Sequence, residues 1–129
     1  MERTFQVNSL GPLRVTQALL PNLLAGEKKT IVNITSRVGS LELSTGGLYS
    51  YRTSKTALNQ INKIVSVELA EQGFTSIVIH PGWVKTDMGG AEAALEIPES
   101  ISGMLNVINS LTVDSTGKFF NFNGEEIPW

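Results

Sequence analysis

Three short runs of β-branched and aromatic residues divide the chain. Thr30-Ile31-Val32-Asn33-Ile34-Thr35-Ser36 follows a turn-like Gly26-Glu27-Lys28-Lys29. Thr75-Ser76-Ile77-Val78-Ile79-His80 is closed by Pro81-Gly82, and Lys118-Phe119-Phe120-Asn121-Phe122 by Asn123-Gly124. Composition and punctuation together predict strands. Helical spacing fills the intervals. Residues 50–72 place Ala57, Leu58, Ile61, Ile64, Val65, Glu68 and Leu69 on one stripe, and Gly73 stops the helix. Residues 98–111 start at Pro98 and carry Ile101, Met104, Leu105 and Ile108. Residues 2–24 repeat the pattern through Leu10, Leu13, Ala18, Leu19 and Leu23, although Pro12 and Pro21 each remove a helical hydrogen bond.

The order α-β-α-β-α-β predicts an α/β chain with a parallel sheet and right-handed crossovers. Two longer loops, 37–49 and 81–97, follow the C-terminal ends of strands, the edge where open α/β sheets bind ligands.

Composition narrows the function. The length of 129 residues fits one compact domain, and 41% apolar with 17% charged residues fits a globular chain. No unbroken apolar run exceeds three residues, so no membrane-spanning helix is expected, and the polar N-terminus has no signal-like region. Without cysteine there is no disulfide, thiolate metal site or cysteine nucleophile, and one histidine builds no multi-histidine zinc site. The net charge of −2 gives no footprint for nucleic acid or an anionic membrane. Twelve glycines are present, none two to five residues from another. The dinucleotide fingerprint, the P-loop and the nucleophile elbow all need such spacings, so all three are absent.

Candidate chemistry concentrates in a few places. Tyr51 and Lys55 are four apart on the second helix and share a face. An ammonium beside a phenol favours the phenolate, so the pair suits general acid–base work; a solvated tyrosine–lysine pair is the plainer alternative. Ser36 ends the first strand at the ligand edge, where its hydroxyl either orients a substrate oxygen or bonds local backbone. Asn8 is a poor interior helix residue, explained by a buried polar task or by a kink near Gly11-Pro12. The Pro81–Gly90 loop combines a sharp turn, Trp83 and a glycine pair, and His80 before it reads as structural.

Asparagine, strand-end serine, Tyr-x-x-x-Lys helix and strand-end Pro-Gly loop, in that order, closely resemble the C-terminal half of a short-chain dehydrogenase/reductase. The resemblance rests on Phe5-Gln6-Val7-Asn8 with Gly11-Pro12, on Ile31–Ser36 with Gly39, on Tyr51-Arg52-Thr53-Ser54-Lys55 and on Pro81-Gly82-Trp83-Val84-Lys85-Thr86-Asp87-Met88. The Tyr49–Lys55 variant, Pro81–Gly90 and the ending Gly117–Trp129 are similar to the C-factor-like subgroup.

This resemblance implies a partial Rossmann-type doubly wound parallel sheet, about three strands with flanking helices, lacking its N-terminal half. It implies hydride transfer between NAD or NADP and a small alcohol or carbonyl. Tyr51 would exchange the proton, Lys55 would lower the Tyr51 pKa and bond the nicotinamide ribose, and Ser36 would hold the substrate oxygen. Asn8 would anchor a proton-relaying water chain through Lys55. Asn33, Thr35, Pro81, Gly82, Val84 and Thr86 would complete the cofactor site, and residues 87–97 match the variable substrate loop. Helices 2–24 and 50–72 would carry a homo-oligomer interface.

The family's glycine-rich phosphate loop and Asn-Asn-Ala-Gly segment are not in the sequence. The expectation is therefore a catalytic half-domain, 1–129, inactive or weak by itself, with a first strand left as an exposed edge. The other expectations open at this stage are a non-catalytic interaction or signalling module on the same half-fold, and a longer reading frame upstream of Met1. The default compartment is the cytoplasm. Neither the substrate nor the choice between NAD and NADP is written in these residues.

Overall fold

The computed structural model describes residues 1–129. Helix α1 (Glu2–Phe5), a π-helical turn (Gln6–Leu10) and α2 (Gly11–Ala25) follow without a break. Then come β1 (Thr30–Ile34), a 3-10 turn at Arg37–Gly39, α3 (Tyr49–Glu68), β2 (Thr75–His80), α4 (Ile97–Ser110) and β3 (Phe119–Asn121). The predicted alternation is observed. The first strand ends two residues early, because the Ser36 hydroxyl accepts from Val38 N at 3.3 Å and turns the chain into the 3-10 segment.

Pro12 sits in the first turn of α2, where proline is tolerated. It has no N–H to offer the Asn8 carbonyl four residues back, and the helix there widens: Gly11 N donates to Gln6 O, five residues away. The kink expected near Gly11-Pro12 is thus a π turn that contains Asn8.

The sheet is parallel in the order β1-β2-β3, with Ile34 beside Ile79 and Val78 beside Phe119. β2 is central and buried from Thr75 to Ile79. Ile77 and Ile79 pack with Val107 of α4 and with Met104, Leu111 and Phe120. On the opposite face Val78 packs with Phe119, Ile127 and Leu43. β1 is an outer strand, and Ile34 at its end is 49% exposed.

The helices bury less of their apolar stripes than periodicity predicts. Ile64 of α3 is 47% exposed, and the inward face instead carries Ser54, Leu58, Asn59, Asn62 and Ser66. These polar groups have partners: Asn62 Nδ2 donates to Ser76 O at 3.3 Å, and Asn62 Oδ1 accepts from Ser76 Oγ at 2.7 Å and from Asn33 Nδ2 at 3.0 Å. A hydrogen-bonded polar face docks as well as an apolar one. In α4, Ile101 and Leu105 point outward while Val107 enters the core. α2 buries none of its residues, leaving Val15, Leu19 and Leu24 exposed. No helix is long and apolar enough to cross a membrane.

Candidate active site

Tyr51 and Lys55 lie in the first two turns of α3, at the C-terminal edge of the sheet. Their spacing puts the Lys55 ammonium 5.8 Å from the Tyr51 ring centre. Lys55 Nζ donates to the Ile34 carbonyl at 3.1 Å, so the lysine bridges α3 to the end of β1. Burial lowers its pKa from 10.5, since desolvation disfavours the cation. Its two remaining protons are free for a ligand.

Ser36 is held against the same helix. The 3-10 turn after it brings Gly39 so close to α3 that an added Cβ would stand 3.0 Å from the Lys55 carbonyl carbon and 3.0 Å from Asn59 Nδ2. The Gly39 carbonyl accepts from Thr56 Oγ1 at 2.8 Å. Glycine is therefore what lets the Ser36 turn approach the Tyr-Lys segment. With its oxygen accepting from Val38 N, the Ser36 hydroxyl keeps its proton to donate.

Asn8 reaches the site from the other side of α3. Its Nδ2 donates to Ser54 Oγ at 3.1 Å, Ser54 Oγ donates to the Tyr51 carbonyl at 2.8 Å, and Ser9 Oγ donates to the Ser54 carbonyl at 2.7 Å. Asn8 thus meets the helix at Ser54, the residue just before Lys55. Asn33 and Thr35 turn their side chains to α3 as well: Thr35 Oγ1 donates to Asn59 Oδ1 at 2.6 Å, and Asn33 to Asn62.

Pro81 and Gly82 carry the chain out of β2. Gly82 has φ +87°, and an added Cβ would run into the Leu95 side chain. Beyond it the loop closes on itself. Leu95 N donates to Trp83 O at 3.0 Å and Lys85 N to Leu95 O at 2.8 Å, so Val84 faces Leu95 as a one-residue parallel bridge. That pattern leaves the Val84 N–H and C=O unbonded to Leu95, and the carbonyl faces Gly89 and accepts from Thr86 Oγ1 at 3.5 Å. Lys85 and Glu96 join the stem through a 2.7 Å ion pair. Thr86 Oγ1 accepts from Gly89 N at 3.1 Å, and Trp83 Nε1 donates to Gly89 O at 2.8 Å.

The structure therefore brings Asn8, Ser36, Tyr51 and Lys55 together around the start of α3, with Val84 and Thr86 on the adjoining loop. Of the residues that hold them, Gly39 and Ser54 belong to the motifs quoted above without a role of their own, and Ser9 and Asn59 lie outside those motifs. The available signal was polar residues at helical spacing on a buried face. His80 sits at the end of β2 with its Nδ1 buried and unpartnered. Burial first, and the Arg37 guanidinium second, lower its pKa from 6.5 to about 4, so the ring is neutral near pH 7. A cavity of about 200 Å³ lies behind the Ser36 turn, against Leu41, Thr56, Gln60, Lys63 and Trp129; it includes none of Ser36, Tyr51 or Lys55.

The sequence model of short chain dehydrogenases matches residues 1–96. The chain is 50% identical over its whole length to C-signal of Myxococcus xanthus, covering 78% of that protein. It is 36% identical to 1-hydroxy-2-glutathionyl-2-methyl-3-butene dehydrogenase of a Rhodococcus species, of which it covers 58%. Carbonyl reductase Sniffer of D. melanogaster superposes with a TM-score of 0.92 at 39% identity, and NADPH-bound carbonyl reductase from chicken fatty liver with 0.90 at 35%. In both cases 97% of this chain covers 55% of the other. The chain thus spans little more than half the length of these reductases, and its three-stranded sheet corresponds to about half of their Rossmann fold. The chain belongs to the short-chain dehydrogenase family.

Proposed function

We propose that residues 1–129 are the catalytic and substrate-binding half of an NAD(P)-dependent oxidoreductase that interconverts a small alcohol and its carbonyl. The observation that carries this reading is Lys55, which stands 5.8 Å from the Tyr51 ring centre and bonds the Ile34 carbonyl two residues before Ser36, with Gly39 packed against the same helix. In the reductive direction the Ser36 hydroxyl donates a hydrogen bond to the carbonyl oxygen and orients it. Tyr51 then gives its phenolic proton to that oxygen as negative charge develops there. Lys55 supplies a fixed positive charge on the same helical face, and Asn8 fixes that face through Ser54.

The residues suit a nicotinamide cofactor. Lys55 has spare protons for ribose hydroxyls, the Val84 N–H is not used by Leu95, and the Thr86 hydroxyl stands two residues on. Pro81 and Gly82 shape the wall, and Asn33 and Thr35 tie the strand to α3 beneath it. When bound, the nicotinamide supplies or accepts the hydride. Lacking glycines spaced as a phosphate cradle, the chain by itself holds NAD or NADP weakly and is inactive or slow. The exposed faces of helices 2–24 and 50–72 carry self-association. The test joins the N-terminal half of carbonyl reductase Sniffer to residues 1–129. NADPH-dependent reduction of aldehydes or ketones is expected; a folded joined chain without turnover contradicts the reading.

A second reading is a non-catalytic interaction module. The open β1 edge and the unburied α2 favour it. Light scattering with cofactor titration separates the two: a stable oligomer with no cofactor affinity supports the module, and a weak but measurable affinity supports the enzyme half.

A further inference from the structure

After β3 the chain doubles back. Ile127 N donates to Phe119 O at 2.8 Å, Asn121 N to Glu125 O at 2.8 Å, and Phe120 and Glu126 form an antiparallel bridge. Ile127 is buried beside Val78, Phe119 and Leu43. The Trp129 ring packs against Phe119, with centres 5.4 Å apart. This brings the main-chain oxygen of Trp129 to a receptor of three donors: Ser40 Oγ at 3.2 Å, Glu42 N at 3.2 Å and Leu41 N. Two successive amides and a hydroxyl converging on one oxygen form the type of concave donor site that captures anionic oxygens. Ser40 is fully buried, and its oxygen also accepts from Leu43 N at 3.2 Å.

The receptor begins four residues after Ser36. On its inner side, the Gly39 carbonyl is bonded by Thr56 and Asn59 of α3. The segment Ser36–Leu43 is thus gripped between the helix that carries Tyr51 and Lys55 and the tail that carries Trp129. Farther along, Arg52 holds the loop through Gly47 O at 3.1 Å and Thr45 Oγ1 at 2.7 Å. Ser40 N also donates to Arg37 O at 3.0 Å and Ser44 N to Leu41 O at 3.2 Å, but the hydrogen bonds that tie Ser40–Leu43 to a distant part of the chain are those to Trp129. Phe122 packs beside Gly82, but the motifs of the active site do not explain the rest of this tail.

We propose that Trp129 is a positioning residue: by seating its main-chain oxygen on Ser40–Glu42, it fixes the turn that presents Ser36 to Tyr51. The ring acts as the anchor, through Phe119, and the oxygen as the contact. The proposal rests on the reading of Ser36 and Tyr51 as a working pair, but its test does not use turnover. Native-state amide hydrogen exchange on the full chain reports the turn directly, because Val38 N bonds Ser36 Oγ, Gly39 N bonds Ser36 O and Ser40 N bonds Arg37 O. In Trp129→Ala the amides of Val38, Gly39 and Ser40 are expected to exchange at least tenfold faster, while those of Ile77 and Ile79 keep their rates. Ser40→Ala, which leaves the tail sequence intact, is expected to do the same, and Trp129→Phe to restore protection. Unchanged rates at the turn in Trp129→Ala or Ser40→Ala overturn the proposal. So does a uniform acceleration that includes Ile77 and Ile79, which would make the tail a general stabiliser. Loss of the oxidoreductase reading would show instead as a joined chain without turnover and with normal exchange.

Discussion

Asn8 Nδ2 donates to Ser54 Oγ at 3.1 Å, joining the π turn of the first helical segment to the residue just before Lys55. Ser54 is fully buried, and its hydroxyl is also spent on the Tyr51 carbonyl. Removing that hydroxyl leaves the Asn8 amide without a partner. Ser54→Ala is expected to lower unfolding free energy by about 1–3 kcal/mol. Urea titration measures it, and a change under 0.5 kcal/mol (roughly the scatter of neutral substitutions) would remove Ser54 from the account.

The approach of the Ser36 turn to α3 depends on Gly39. Gly39→Val puts branched carbons where even a Cβ stands 3.0 Å from Lys55 and Asn59. It is expected to cost roughly 1–3 kcal/mol by overpacking. Gly46→Ala is the control: nothing lies within 4 Å of its added Cβ, and its midpoint in urea should stay at the wild-type value.

His80 gives the fold an acid-side signature. Unfolded chains bind its proton below about pH 6.5, the folded chain only near 4. The contribution is therefore fully present above 6.5 and is lost as pH falls through 4. The loss is about 1–2 kcal/mol once partial exposure is allowed for. Denaturation curves between pH 7 and 4 should show that His80→Gln lacks this part of the slope. Equal slopes for both chains would assign the acid sensitivity elsewhere.

Much of this was legible in the sequence. Strand positions followed from β-branched runs, and the pairing of Tyr51 with Lys55 followed from a spacing of four. The helical faces were less so. Periodicity finds apolar stripes, whereas α3 docks through Asn59, Asn62 and Ser66, whose hydrogen bonds reach residues far along the chain. The π turn at Asn8 breaks the spacing that periodicity assumes. The Trp129 contact joins positions 89 residues apart, and no local pattern encodes such a pair.

The most direct test of the central claim is the effect of Tyr51→Phe on NADPH-dependent carbonyl reduction by residues 1–129 joined to the Sniffer N-terminal half. The substitution removes one hydroxyl and leaves the ring beside Lys55. The account predicts a fall in kcat of about 10²–10⁴ with NADPH affinity unchanged, the range of a lost general acid. A Tyr51→Phe enzyme that keeps the kcat of its parent would contradict it.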